Sequence, residues 1–244
     1  MKFERSYRIG VEDIGFENLA TNKTILEIME DIASVHSASV GLGVKEIQEN
    51  NAAWALIDWK VQVIRRPDYD EEVRAVTWSR KSDRLLAYRD FKLFDKEDNL
   101  IAIGSSRWIY MNLEKRRPMK ITSDIMDRYE SEDDSVFDEE ITKIDISNLE
   151  NLKEITSLNY KLRRRDMDYN GHMHNISYID IANEVLPEEL YFNKHFSHIR
   201  VEYKKEILKD DDVIVKCFQD EDRVIITFET ESKINAVIEY KNVM

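Results

Sequence analysis

A single cysteine, Cys217, stands in the 244-residue chain. That excludes an intramolecular disulfide and any zinc cluster built on cysteine. It leaves one thiol for a papain-like mechanism, and Cys217 falls in a strand pattern that reads as buried and inert. No run approaches the roughly 20 apolar residues needed to span a bilayer. The opening Met1-Lys-Phe-Glu-Arg-Ser lacks the apolar core of a secretion signal, so a cytoplasmic location is expected. Positive charge is scarce as well: 36 Lys and Arg against 49 Asp and Glu leave a net charge of −13. General nucleic-acid binding needs a basic footprint and is not expected.

With 42% hydrophobic and 35% charged residues, the chain should fold as an ordinary globule of one large or two small domains. Its basic residues are grouped: Arg65-Arg66, Lys115-Arg116-Arg117 with Lys120, Lys161 with Arg163-Arg164-Arg165, and Lys204-Lys205. Each run alone reads as a solvated face, but several on one face could steer an acidic partner. Part of the negative excess sits in Glu130-Ser-Glu-Asp-Asp134 and Asp138-Glu-Glu140, which read as linker.

The two halves follow one plan. Tyr7-Arg-Ile-Gly-Val-Glu-Asp13 resembles Tyr160-Lys-Leu-Arg-Arg-Arg-Asp166 at an offset of 153 residues. Ile57-Asp-Trp-Lys-Val-Gln-Val-Ile64 resembles Val201-Glu-Tyr-Lys-Lys-Glu-Ile-Leu208 at an offset of 144, which aligns Glu206 with Gln62. Each half reads as a strand, a long helix and several antiparallel strands. In the first, Thr24-x-x-Glu27 suggests a capping box, followed by Ile25, Ile28, Met29, Ile32, Val35 and Ser39 at helical spacing. Strands are expected over 53–63, 72–79, 85–94 and 100–111. In the second half a helix is expected from about Asn175 to Val185, ended by Pro187, with strands near 196–204, 212–219, 223–231 and 235–241. The fold class is α+β, each sheet wrapping its own helix. The expected domains are residues 1–126 and 152–244, joined by an exposed linker over 127–151 that has room for a short helix.

The densest chemistry is Asp166-Met-Asp-Tyr-Asn-Gly-His-Met-His-Asn175, with Glu206 one element later. Asp168, Asn170 and His172 would share a face if the segment were extended. Gly171 permits unusual backbone geometry, and the N–H groups of the following helix would point back at the cluster. Those donors could polarise a carbonyl and hold an oxyanion, while Glu206 deprotonates water and a histidine relays protons. A hydrolase is the leading expectation. Asp168 and Asn170 could equally close a turn, and His172 could be structural. His172-Met-His174 with Asp168 is a weak zinc signal that nothing else completes, so neither metal nor cofactor is expected.

These residues resemble the acyl-[acyl-carrier-protein] thioesterases of plants and bacteria. The first half contributes Arg5-Ser-Tyr-Arg-Ile-Gly10, the helix end His36-Ser-Ala-Ser-Val-Gly-Leu42, Trp54 through Val63, and Ser106-Arg-Trp-Ile-Tyr-Met-Asn112 with Arg116-Arg117. In the second, Asp166 to Asn175 matches the family's Asp-x-Asp-x-Asn-x-His-x-Asn-Asn pattern, and Val201 to Glu206 its Tyr-Arg-Arg-Glu strand. The resemblance implies two fused hotdog domains and hydrolysis of acyl-carrier-protein thioesters to free fatty acid. It implies a C-terminal catalytic set of Asp168, Asn170, His172 and Glu206. The repeat separately suggests why one half works: Gln62, aligned with Glu206, cannot act as a base and Gly15–Asn22, opposite Asp168–Asn175, has no histidine, so the N-terminal half is expected to bind the acyl chain and support the other. Gly171, Met173, His174, Arg163, Arg164 and Arg165 would border the substrate. Lys115–Arg117 and Arg163–Arg165 would steer acyl carrier protein, which is acidic. Where many plant members carry Cys after the glutamate this chain has Ile207, and His174 replaces an Asn of the pattern. Action on acyl-coenzyme A and non-catalytic acyl binding are the alternatives, and a homodimer is compatible with the family.

Overall fold

A computed structural model describes residues 1–80, 82–193, 195–220 and 222–242, the side chains of Gln48 and Asn193 excepted. The last two residues of the expected C-terminal domain lie outside this set. The chain divides into two compact units, Met1–Ile141 and Thr142–Met244.

Unit 1 opens with β1 (Phe3–Arg8), α1 (Asn22–Ser39), the single turn α2 (Ile47–Asn50) and β2 (Ala52–Val63). It continues through β3 (Glu72–Ser79), β4 (Ala87–Phe94), β5 (Leu100–Asn112), the short β6 (Arg117–Pro118) and α3 (Ser123–Tyr129). Its strands pair antiparallel in the order β1-β3-β4-β5-β2, with β6 on the end of β5. The apolar stripe of α1 (Ile25, Leu26, Ile28, Met29, Ile32) is buried on the sheet face that carries Trp59, Val61, Phe91 and Leu93. Each such side chain contributes about 1.5–3 kcal/mol relative to exposure. Gly104 in β5 lets the helix sit close, since a Cβ there would lie 2.7 Å from the Met29 sulfur.

Two local expectations are corrected. The cap of α1 is Thr21, whose hydroxyl accepts the Thr24 N–H at 3.2 Å; Thr24 lies inside the helix and donates to the Asp13 carbonyl. The expected stripe continues through His36, fully buried, while Val35 is only half-buried and Ser39 exposed. His36 stacks on Phe3 and meets the Tyr129 ring edge-on. Its Nδ1 accepts from the buried Arg89 guanidinium at 2.9 Å, because arginine has only donors. Burial first, then the Arg89 charge, pushes the imidazole down to about 3.

Residues beyond α3 are less exposed than their acidity suggests. The buried Asp90 carboxylate accepts the Val136 N–H at 2.8 Å, Trp78 donates to the Asp134 carbonyl at 2.9 Å, and Ile141 and Ile144 are buried.

Unit 2 contains β7 (Glu154–Tyr160), α4 (Asn175–Val185), α5 (Glu188–Asn193), β8 (His198–Tyr203), β9 (Val213–Asp220), β10 (Arg223–Thr230) and β11 (Lys233–Lys241). The order β7-β9-β10-β11-β8 reproduces that of unit 1 strand for strand. The α4 face of Ile176, Ile179, Ala182 and Val185 is buried with Val201, Val215, Ile226 and Phe228. Cys217 is fully buried in β9, which raises its thiol to about 12. Each unit is thus a long helix against an antiparallel sheet, the hotdog arrangement.

Candidate active site

The segment between β7 and α4 is a tight loop rather than an extended strand. Asp166 opens it: its carboxylate accepts the Arg163 N–H at 2.6 Å and the Tyr160 hydroxyl at 2.9 Å. Burial and that bond to Asp166 raise the Tyr160 phenol to about 12. Asp168 and His172 then close on each other through their backbones, at 2.8 Å from Asp168 N–H to His172 carbonyl. The Asp168 Oδ1 accepts the N–H of Asn170 at 2.8 Å and of His172 at 3.0 Å, while its Oδ2 accepts from the Asn170 amide at 3.3 Å. Asp168 and Asn170 therefore form the turn itself, and the three side chains do not line one extended face. Gly171 sits at φ 80°, a conformation that a side chain disfavours even though the space beside it is open.

His172 and Met173 bridge to the chain that follows β8. The Met173 N–H donates to the Ile207 carbonyl at 2.8 Å, and His172 pairs with Leu208. This brings His172 Nε2 to 3.4 Å from Glu206 Oε2, the imidazole 29% and the carboxylate 49% exposed. The buried Tyr178 stands behind the pair. Burial first, then the negative charges of Glu206 and Asp211, hold its phenol above the ordinary tyrosine range, and its oxygen is hydrogen-bonded to the Ile207 backbone.

The expected helix-start donors are partly taken. His174 is the N-cap of α4: its Nδ1 accepts the Ile176 N–H at 3.3 Å and its carbonyl the Ser177 N–H at 2.9 Å. Met173 is buried, whereas Asn170, Gly171 and His174 are exposed. Arg163, Arg164 and Arg165 are exposed, with Arg163 over the Tyr160 ring and Arg165 at 3.9 Å from Asp166. Among the described residues, no three His, Cys, Asp or Glu side chains converge as metal ligands, and no helix is long and apolar enough to cross a membrane.

Unit 1 contains the same loop without the chemistry. Gly15 donates to the Leu19 carbonyl at 2.9 Å as Asp168 does to His172, and Asn18 takes φ 61° where Gly171 takes 80°. Ala20 donates to the Pro67 carbonyl as Met173 does to Ile207, and Leu19 bridges to Asp68 as His172 does to Leu208. These bonds place Leu19 at the His172 position, Gly15 at Asp168 and Glu17 at Asn170. They also correct the sequence alignment: Arg66, not Gln62, is the counterpart of Glu206. Gln62 stands opposite Glu202, whose carboxylate accepts the Ile144 N–H at 2.7 Å. A sequence signal for this existed in Asp70-Glu-Glu-Val73 against Asp210-Asp-Asp-Val213, an offset of 140 residues. Arg66 ties its loop to the helix start, donating to the Ala20 carbonyl at 2.9 Å and to Asn22 Oδ1 at 2.5 Å.

Both units find counterparts among known proteins. The acyl-ACP thioesterase N-terminal domain matches residues 1–129 and the acyl-ACP thioesterase C-terminal domain residues 149–243. The oleoyl-acyl carrier protein thioesterase of Coriandrum sativum is 25% identical over 224 residues, 86% of this chain and 61% of that protein. Oleoyl-acyl carrier protein thioesterase 2 of Arabidopsis thaliana is 27% identical over 220 residues, 85% of this chain and 59% of that protein. The chain thus spans about three fifths of the length of these curated relatives. Among solved structures, an acyl-ACP thioesterase from Bacteroides thetaiotaomicron superposes with a TM-score of 0.84 at 22% identity, over 98% of this chain and 97% of that one. The 12:0-ACP thioesterase from Umbellularia californica gives 0.83 at 19% identity, over 98% and 96%. Those likenesses establish the fold, and the two domain matches, in order and covering both units, show that the chain belongs to the acyl-ACP thioesterase family.

Proposed function

We propose that the protein hydrolyses acyl-acyl-carrier-protein thioesters by direct attack of water, with the chemistry confined to unit 2. The observation that carries this reading is the His172–Glu206 pair at 3.4 Å, formed by a loop whose copy in unit 1 holds Leu19 and Arg66 instead. Glu206 takes a proton from water as it attacks the thioester carbonyl. His172, at its side, orients the carboxylate and passes the proton towards the departing sulfur. The carbon–sulfur bond breaks, the thiol leaves and the free acid remains. The Asn170 amide has a second N–H beyond the one given to Asp168 and offers it to the carbonyl oxygen. Asp168 acts through the turn, fixing the backbone that aims His172.

Unit 1 is assigned acyl-chain binding and support. Arg163–Arg165, exposed beside the loop, would receive the acidic carrier protein despite the net negative charge of the chain. The test is thiol release from acyl-carrier-protein and acyl-coenzyme A substrates, with Glu206→Ala alongside. Release from carrier-protein substrates that disappears in the variant supports the reading. Faster turnover of coenzyme A substrates would reassign the partner, and release unaffected by the variant would reject the site.

A further inference from the structure

Glu206 lies in a loop, after β8 has ended, so its direction is set by whatever holds that loop. In both units the loop is held by a β-bulge. In unit 1, Leu93 pairs with Ala102 and Phe94 with Leu100, leaving Ile101 as the extra residue; its carbonyl accepts the N–H groups of Ile64 at 2.8 Å and Arg65 at 3.1 Å. In unit 2, Phe228 pairs with Ala236 and Glu229 with Ile234, leaving Asn235 extra. Its carbonyl accepts from Lys204 at 2.7 Å and Lys205 at 3.0 Å.

The difference is the side chain. Ile101 is apolar, and the residue-66 position completes its own anchorage through the Arg66 guanidinium. Asn235 is fully buried and uses both ends of its amide. Its Oδ1 accepts the Thr230 N–H at 3.0 Å and the Thr230 hydroxyl at 2.9 Å, and its Nδ2 donates to the Glu206 carbonyl at 3.3 Å. The amide orientation is fixed, because a backbone N–H can only donate and so selects the oxygen. Ile207, buried, pins the other side of Glu206 through its carbonyl bond from Met173.

We infer that Asn235 is a positioning residue for Glu206: its buried amide anchors the loop by the backbone and leaves the Glu206 side chain to face His172. Where the loop lacks such an amide, the side chain at the Glu206 position is itself used as the anchor, as Arg66 is. The inference rests on the reading of Glu206 as the base.

Asn235→Asp keeps the acceptor for Thr230 and loses the donor to Glu206. Asn235→Ile installs the residue that unit 1 already carries at its bulge. Thiol release from acyl-carrier-protein substrates is measured for the full chain and both variants, together with thermal melting and amide hydrogen exchange. The expected result in Asn235→Asp is a kcat at least about tenfold lower, a KM within about threefold, and faster exchange confined to residues 204–208. Asn235→Ile should show the same kinetic split; if it fails to fold, Asn235→Asp decides alone. A kcat within about twofold of the parent, or a loss carried by KM, overturns the inference while the thioesterase reading stands. No thiol release from the parent chain removes both.

Discussion

Glu206→Gln preserves the shape of the side chain and its distance to His172 but removes the basic carboxylate. The kcat for thiol release should fall by about 10²–10⁴ with little change in melting temperature, since the side chain is half exposed and outside the sheet. Asp168 separates two roles. Asp168→Asn retains the oxygen that accepts the Asn170 and His172 N–H groups and should keep activity within about tenfold. Asp168→Ala leaves both donors without it and should cost about 1–2 kcal/mol by chemical denaturation. Equal activity in the two variants would show that the turn is not what Asp168 contributes. At this scale the motif from Asp166 to Asn175 was legible because it is dense and local. The roles of Arg66 and Asn235 were not. Both depend on which carbonyl faces which N–H across a bulge, and a one-residue bulge leaves no mark on composition.

The elements were read more easily than their ends. Strands β2 to β5 and β8 to β11 fall close to the expected ranges, because β-branched and aromatic residues cluster in them and polar turns divide them. Helix α5 is not expected from the sequence, because Pro187 reads as the stop of α4 although proline is equally at home at a helix start. The cap of α1 lies one turn before the Thr24-x-x-Glu27 pattern, because Thr21 and Thr24 both carry a capping hydroxyl and only the bond to Thr24 N–H decides. Two glycines support α1 in different ways, and their variants should rank accordingly. A Cβ on Gly43 would lie 2.6 Å from the Cα of Ala38, which is helix backbone; on Gly104 it would meet the Met29 thioether at 2.7 Å. Gly43→Ala should therefore lower the melting temperature more than Gly104→Ala, whose cost Met29 can reduce by changing rotamer, within a range of about 1–3 kcal/mol. The reverse order would mean that the loop after α1 yields more readily than the core.

For the whole molecule, two responses to solution conditions follow. The net charge of −13 repels an acidic partner, so any attraction must come from local basic groups and should be screened by salt. Raising the ionic strength from about 0.05 M to 0.2 M should raise the KM for acyl-carrier-protein substrates severalfold with kcat little changed. A KM indifferent to salt would remove Arg163–Arg165 from partner recognition. The second response concerns His36, neutral and buried in the folded state at about 3 against an ordinary 6.5. Between those values the unfolded chain binds the proton and the folded one does not. The stability that neutral His36 allows is complete above pH 6.5 and is lost progressively as pH falls towards 3, at about 1.4 kcal/mol per pH unit for one group. Denaturant midpoints across that range should fall more steeply for the parent than for His36→Gln, and parallel curves would mean that His36 is protonated in the fold. The charge balance is legible in the chain, whereas the state of His36 is not, since its burial beside Arg89 depends on a strand 53 residues away.

The loop of unit 1 already contains Gly at the Asp168 position, Leu at His172, Arg at Glu206 and Ile at Asn235, on a backbone bonded in the same way. The molecule thus carries its own folded precedent for the loss of each of these groups. Mutational tolerance at the site should accordingly be wide for folding and narrow for turnover. Inactive descendants of this chain could drift there for long periods and still be found as intact, well-packed proteins.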